Sequence, residues 1–209
     1  ATAVTNFEIA KLVKTNEKPG GNVTGVSDIN PVFEQVELLL KIAPNAKTIG
    51  TIYNSSEINS EYQIELLKKA ADKLNLKVES ATVTTVNDLQ QAVNSLKGKV
   101  DALYLPTDNV VASPMPVLMK AAIPAKLPVI AAEGGMVRQG ALASIAIDYY
   151  TLGKMTGQMG ADILEGKAKP ADMPIQTQHA DNIIVNLKTA QAIGVTLPED
   201  VLAKASKVE

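Results

Sequence analysis

The sequence predicts an α/β fold, in which a mostly parallel sheet carries helices on both faces. Short apolar runs alternate with amphipathic helical segments along most of the chain, as in consecutive βαβ units. Directly after each of four of these runs, 48–53, 100–105, 127–132 and 142–147, comes a short polar segment that contains a carboxylate. Because the carboxyl ends of parallel strands lie along one edge of a sheet, where ligands bind, the pattern predicts one polar binding edge.

The helices are expected between these strands. An amphipathic helix begins near Pro31 and ends before Pro44. Ser60 and Gln63 fit a capping box, which predicts that the second helix starts at Ser60. Further strands are expected at 77–83 and 182–185, and further helices from about Thr85, from about Ser113, over 151–165 and over 188–193.

The predicted helix 151–165 contains three interior glycines, Gly153, Gly157 and Gly160. Each glycine costs a helix about 1 kcal/mol relative to alanine. The simplest reason to retain them is the close approach of another backbone. The sequence therefore predicts a tight packing partner for this helix.

Composition excludes several classes of protein. With 46% hydrophobic and 20% charged residues, the chain is globular rather than disordered. A net charge of −2 without a basic block makes nucleic acid an unsuitable partner. No apolar run is long enough to span a bilayer, and without cysteine there is neither a disulfide nor a thiolate. The first 20 residues lack a signal peptide pattern, so any export signal is expected to be absent from this sequence.

Catalytic motifs are absent as well. The chain has no Gly-x-Ser-x-Gly elbow, no cysteine nucleophile, no dinucleotide or phosphate loop and no His-rich metal set. We therefore expect a binding protein without catalytic residues, metal or cofactor. Two alternatives stay open: a carboxylate-dependent α/β enzyme that uses Asp108 and Asp148 with a divalent cation, and the ligand-sensing lobe of a regulator.

The candidate binding residues follow the ends of the predicted strands. They are Asn54, Ser55, Glu57, Thr107, Asp108, Asn109, Glu133, Asp148 and Tyr150. A carboxylate such as Asp148 or Asp108 suits a ligand ammonium, whereas Asp148 is equally explained as a helix N-cap. Glu133 either contacts ligand or pairs with Arg138. Tyr150 offers a flat apolar face with one hydroxyl, which binding clefts favour.

Four motifs in order resemble the ABC-transporter substrate-binding proteins that include binders of tryptophan and other aromatic amino acids. They are EKPGGNVTGVS at 17–27, YNSSEINS at 53–60, LPTDN at 105–109 and GALASIAIDYYTLG at 140–153. The resemblance covers almost the whole chain. It implies a type I periplasmic-binding-protein fold, in which two α/β lobes joined by three crossovers close on a small molecule.

The resemblance also implies how the chain divides. Residues 27–147 plus 178–209 are expected to form the carboxyl-terminal lobe, and 1–26 plus 148–177 the hinge crossovers and remnants of the other lobe. One lobe is then incomplete, because a family member has roughly another hundred residues before Ala1, about one small domain. Thr5 resembles part of the site segment contributed by that other lobe.

The function implied by the resemblance is that of the extracytoplasmic solute-binding component of an ABC importer. Such a protein captures a small molecule without chemistry and delivers it to a membrane permease. The implied ligand is an amino acid, with aromatic ones among the family's ligands. The implied location is the periplasm, or the cell surface through a lipid anchor.

Overall fold

A computed structural model describes all 209 residues and divides them into two compact units. The smaller unit comprises Ala1–Asn30 and Ile147–Ala180, and the larger unit comprises Pro31–Ala146 and Asp181–Glu209. That the larger unit is the carboxyl-terminal lobe of a two-lobed protein stays a prediction.

The chain alternates strands and helices. The strands are β1 Val26–Ser27, β2 Thr48–Tyr53, β3 Lys77–Thr82, β4 Ala102–Leu105, β5 Val129–Ala131, β6 Ala143–Ala146, β7 Gln176–Thr177, β8 Asn182–Asn186 and β9 Ser206–Val208. The helices are α1 Val32–Ile42, α2 Ile58–Lys73, α3 Leu89–Leu96, α4 Asn109–Ala112, α5 Met115–Ala122, α6 Gly134–Arg138, α7 Tyr149–Leu164, α8 Leu187–Ile193 and α9 Glu199–Leu202. Short 3-10 helices occupy Val86–Asp88 and Pro170–Asp172.

The larger unit is built on one seven-stranded sheet of order β3-β2-β4-β5-β6-β8-β9. All neighbouring strands are parallel except β6 and β8, which pair antiparallel. The predicted α/β class with a mostly parallel sheet is therefore confirmed. The sequence did not predict β9, because its three residues, Ser206, Lys207 and Val208, carry too little apolar pattern to separate them from a charged tail.

Alternate residues of the strands supply two hydrophobic cores, one on each face of this sheet. On β4, Ala102 and Tyr104 belong to one cluster, and Leu103 and Leu105 belong to the other. The first cluster is covered by α1, α2, α8 and α9, and the second by α3, α5 and α6. Because successive strand residues point to opposite faces, a strand buried on both sides reads as the continuous apolar run seen in the sequence.

One predicted helix start is wrong, and one predicted helix is divided. Helix α2 begins at Ile58 with Glu57 in the N-cap position, so Ser60 is not its cap. Ser60 is instead buried inside the first turn, where its hydroxyl has another partner, described below. The helix expected from about Ser113 is two helices, α4 and α5, which are separated at Ser113 and Pro114.

The smaller unit contains short parallel pairings and one long helix. Strand β1 pairs in parallel with β7, and Thr2 forms a parallel bridge with Val26. Its apolar core consists of Val26 and Ile147 with Leu152 and Met159 of α7. Within this chain a Cβ added at Gly153, Gly157 or Gly160 meets no atom within 4 Å, so the close packing partner of these glycines stays a prediction, expected in the missing part of the other lobe.

Glycine at position 50 is required by packing in the larger unit. A Cβ built on Gly50 would lie 2.7 Å from Leu103 Cδ2 and 3.0 Å from Val100 Cγ2. We expect Gly50→Ala to lower the free energy of unfolding by about 2 kcal/mol, because overpacking a filled core displaces its side chains. Gly153→Ala is the matched control and should be neutral or stabilising by up to about 1 kcal/mol, since space is open there. Urea denaturation of both variants tests the expectation, and equal effects of the two changes would contradict it.

Candidate functional site

Asp108 ties together two loops at the carboxyl edge of the sheet. Its Oδ2 accepts hydrogen bonds from Asn54 N and Ser60 Oγ, both at 2.7 Å. Its Oδ1 accepts from Val110 N at 2.9 Å and from Val111 N at 3.1 Å, which caps α4. The loop after β2 and the loop after β4 therefore share one buried carboxylate, which is only 1% exposed.

The pKa of the Asp108 carboxyl is raised above its ordinary value. Burial is the largest cause, and hydrogen bonds from Asn54 and Ser60 oppose it in part. The nearby charge of Glu57 raises the pKa further. Each carboxylate oxygen of Asp108 already accepts two hydrogen bonds from the protein. Asp108 therefore serves to position the two loops.

Glu57 links the same two loops in the opposite direction. It lies in the loop after β2, and its carboxylate accepts from Asn109 N at 3.1 Å and from Asn109 Nδ2 at 2.9 Å in the loop after β4. It also accepts from Asn59 Nδ2 at 3.2 Å. Each loop thus contributes one carboxylate that accepts hydrogen bonds from the other loop.

Two side chains of helix α2 form hydrogen bonds with the loop after β4. Gln63 Oε1 accepts from Thr107 N at 3.0 Å and from Thr107 Oγ1 at 3.2 Å. Asn59 Nδ2 donates to Thr107 O at 2.8 Å. The structure therefore brings together five predicted site residues, Asn54, Glu57, Thr107, Asp108 and Asn109, which we call the loop clasp.

Two further predicted residues lie outside the hydrogen bonds of the loop clasp. Ser55 is exposed at the tip of the loop after β2. Glu133 follows β5 and caps α6, where its carboxylate accepts from Gly135 N at 3.0 Å and Met136 N at 3.1 Å. It forms no ion pair with Arg138, so that alternative is wrong. The reason is that α6 begins directly after Glu133, so the free N–H groups of its first turn are the partners of the carboxylate.

In the smaller unit, Asp148 is the N-cap of α7. Its carboxylate accepts from Tyr150 N at 3.2 Å, from Thr151 N at 3.1 Å and from Thr151 Oγ1 at 2.6 Å. Tyr150 is 75% exposed, and the ammonium of Lys154 lies 5.8 Å from the centre of its ring. The N-cap alternative considered for Asp148 therefore describes its local geometry, while its part in ligand binding stays a prediction.

Thr5 lies beside a buried carboxylate that sequence reasoning did not select, Asp28. Asp28 directly follows β1, and Thr5 follows the segment at Thr2 that bridges to β1. Tyr149 Oη donates to Asp28 Oδ2 at 3.3 Å, and Ser27 Oγ donates to Thr5 O at 2.8 Å. Thr5 and Asp28 meet because the segment at Thr2 runs parallel to β1, and the start of α7 adds Tyr149 to them.

The pKa of Asp28 is also raised. Burial is the largest cause, and hydrogen bonds from the side chains of Thr5 and Tyr149 lower it in part. Asp28 is 5% exposed and its Oδ1 has no hydrogen-bond partner. The signal available in the sequence was a carboxylate after Val26 and Ser27, but a two-residue strand is too short to show a strand pattern.

Nothing in the structure assembles a metal centre. No group of three or more histidine, cysteine, aspartate or glutamate side chains is placed to hold an ion. No helix combines the length and apolar composition that a membrane crossing requires.

The whole chain, residues 1–209, matches the family described as ABC transporter substrate binding protein. It is 45% identical over 192 residues to the tyrosine-binding protein of Clostridioides difficile, a match that covers 92% of this chain and 55% of that protein. The chain thus spans about half the length of the curated relatives it matches.

Two solved structures superpose on the entire chain and on 70% of their own. One is a conserved domain protein from Vibrio cholerae, with a TM-score of 0.94 and 42% identity. The other is an ABC domain in complex with L-Trp from Streptococcus pneumoniae, with a TM-score of 0.93 and 44% identity. These similarities confirm the type I periplasmic-binding-like fold expected from the sequence motifs.

Proposed function

This chain belongs to the ABC transporter substrate-binding protein family, and we propose that it serves as the solute-binding component of an ABC importer with an amino acid as its ligand. Aromatic amino acids are the first choice. This choice rests on one observation: nearly the whole chain is similar to a tyrosine-binding protein. The similar structure that contains L-Trp supports the same ligand class, since both molecules join an ammonium and a carboxylate to a flat ring.

In the larger unit, the loop clasp presents polar groups for such a ligand. Asn54 Oδ1 accepts from Ser56 N at 3.0 Å, which leaves the amide N–H groups of Asn54 to donate. Thr107 of the loop clasp and the nearby Ser55 contribute hydroxyls, Asn109 contributes an amide at the start of α4, and Glu133 contributes a carboxylate after β5. Glu57 and Asp108 fix the two loops relative to each other, because each carboxylate accepts a backbone hydrogen bond from the opposite side of the loop clasp.

In the smaller unit, the proposed ligand contacts are Thr5, Asp148 and Tyr150. The exposed ring of Tyr150 supplies a surface on which an aromatic side chain can stack. Asp148 already accepts three hydrogen bonds from the first turn of α7. It therefore contributes charge near the ligand and a fixed start for the helix.

The proposed mechanism is capture followed by delivery, without catalysis or a cofactor. A membrane permease of the same importer is the proposed partner. The proposed location is outside the cytoplasm, either in the periplasm or at the cell surface through a lipid anchor. Asp108 is a poor candidate for a catalytic base, because four donors already occupy its two oxygens.

A thermal-shift screen tests the ligand class. The complete gene product and residues 1–209 are each heated with the amino acids, small peptides, sugars and divalent metals. A ligand present at a hundredfold excess over its Kd stabilises the native state by about 2.7 kcal/mol. For a protein of this size we expect L-tyrosine or L-tryptophan to raise Tm by about 5–10 °C.

The non-aromatic amino acids serve as the matched controls. A shift with aromatic amino acids alone would support the proposal as stated, and a shift with other amino acids would keep the function but change the ligand. A shift with sugars or metals only, or with no solute in the complete gene product, would contradict it.

A further inference from the structure

Three side chains of the smaller unit, Asn16, Asp28 and Asn30, contain a buried oxygen atom without a donor. Asp28 Oδ1 and Asn30 Oδ1 both lack a hydrogen-bond partner, although the residues are only 5% and 3% exposed. Buried acceptors in native proteins are nearly always satisfied, so each exception requires an explanation. Asp28 and Asn30 are only two residues apart, and Asp28 is an acid.

The orientation of the Asn30 amide is fixed by its other hydrogen bond. Asn30 Nδ2 donates to the backbone oxygen of Asp28 at 3.1 Å. Rotating the amide by 180° would place two oxygens against each other, so the Oδ1 must be the atom left without a partner. The Asn30 amide therefore holds the loop at Asp28 and leaves an acceptor free.

The carboxylate of Asp28 is only partly supported by the protein. Tyr149 Oη donates to Oδ2 at 3.3 Å, and the nearby Thr5 side chain lowers the pKa of Asp28 in part. No salt bridge reaches this acid. By contrast, Asp108 is equally buried but has two donors on each oxygen.

A buried carboxylate with too few hydrogen-bond donors destabilises the folded protein. Burial raises the pKa of Asp28, so its ionised form opposes folding; this cost begins to fall as the pH drops through the folded-state pKa and is gone below the unfolded-state pKa. The presence of a carboxylate that destabilises the ligand-free protein is explained if a bound ligand supplies the missing hydrogen-bond donors.

We propose that Asp28 Oδ1 and Asn30 Oδ1 form the acceptor site for the primary ammonium of the ligand. This inference rests on the proposed function, because it assigns one group of the same amino-acid ligand. An ammonium has three donors and a positive charge, so it satisfies both acceptors and neutralises the acid. Asp28 lies at the carboxyl end of a parallel strand, as binding residues of α/β proteins commonly do.

The test combines Asp28→Asn with removal of the ammonium from the ligand. Calorimetric titrations use L-tryptophan and indole-3-propionate, which lacks the ammonium, on the complete gene product. We expect Asp28→Asn to weaken L-tryptophan binding by about 30-fold or more, and indole-3-propionate binding by much less. L-tyrosine and 3-(4-hydroxyphenyl)propionate form a second pair of probes.

The free variant should be more stable than the wild type. Without ligand, we expect Asp28→Asn to raise Tm at pH 7.5 by about 2–4 °C, because the unsupported charge is gone. Asp172→Asn makes the same chemical change at an exposed position of this unit and should alter neither Tm nor affinity.

Three outcomes overturn the inference. One is an unchanged affinity of Asp28→Asn for the amino acid, and another is an equal loss for the amino acid and its analogue. The third is a lower Tm or loss of folding of the free variant, since the acid would then serve the fold. If the wild type binds no amino acid at all, the proposed function fails first, which distinguishes the two failures.

Discussion

Replacing Gln35 with leucine is expected to lower the free energy of unfolding by about 3 kcal/mol. Gln35 is fully buried on α1, and its Nε2 donates to Ala132 O at 2.9 Å and to Ile145 O at 2.6 Å. Its Oε1 accepts from Tyr104 Oη at 2.9 Å. Leucine fills similar volume but leaves one buried hydroxyl and two carbonyls without their partner, at about 1–3 kcal/mol for each group that stays unsatisfied.

A double-mutant cycle separates this bridge from general damage to the core. Tyr104→Phe removes only the hydroxyl and should cost about 1–2 kcal/mol, because it leaves Gln35 Oε1 unpaired. The combined variant should cost clearly less than the sum of the two single changes, since the residues share one bond. Gln91→Leu on the exposed face of α3 is the matched control and should stay within about 0.5 kcal/mol of the wild type. An additive cycle would contradict the bridge.

Replacing Asp108 with alanine is expected to cost about 3 kcal/mol of stability. Loss of an N-cap costs about 1 kcal/mol, and the part-buried Asn54 N and the buried Ser60 Oγ lose their acceptor at about 1–2 kcal/mol more. Because the loop clasp loses its shared carboxylate, ligand affinity should fall as well. Denaturation curves with and without L-tryptophan measure the two effects.

Asp101→Ala provides the control for Asp108. Asp101 likewise accepts two backbone hydrogen bonds, from Lys47 N at 2.8 Å and Thr48 N at 2.9 Å, but it is exposed. Water can replace an exposed acceptor, so this change should cost about 1 kcal/mol or less and leave affinity unchanged. Equal costs for the two variants would show that the buried position of Asp108 adds nothing.

The sequence was informative where the signal is local. Strand positions were predicted within two residues for β2, β3, β4, β5, β6 and β8. For β2, β4, β5 and β6 the reason is that a buried strand between helices reads as an apolar run. The order in which polar residues follow those strands also identified the loop clasp. Strands β1, β7 and β9 were missed, since strands of two or three residues carry no readable period.

The capping-box prediction failed because the side chains involved form hydrogen bonds with a distant loop. Ser60 and Gln63 have the spacing of a capping box, yet Ser60 donates to Asp108 and Gln63 accepts from Thr107. Both side chains bond a loop more than forty positions later in the chain, although Gln63 Nε2 also donates to Asn59 O in its own first turn. A capping box and a helix face directed at another loop have the same spacing in sequence, so only the fold distinguishes them.

By itself the sequence determined the α/β class, the polar edge of the sheet and, through four motifs, the family. Each of these depends on residue patterns that neighbours along the chain impose. Only the tertiary structure decided that Asp108 is saturated with donors while Asp28 keeps a buried oxygen without one. Hydrogen-bond partners such as Gln35 and Ile145 are 110 residues apart, and which atoms meet at that separation is fixed by packing.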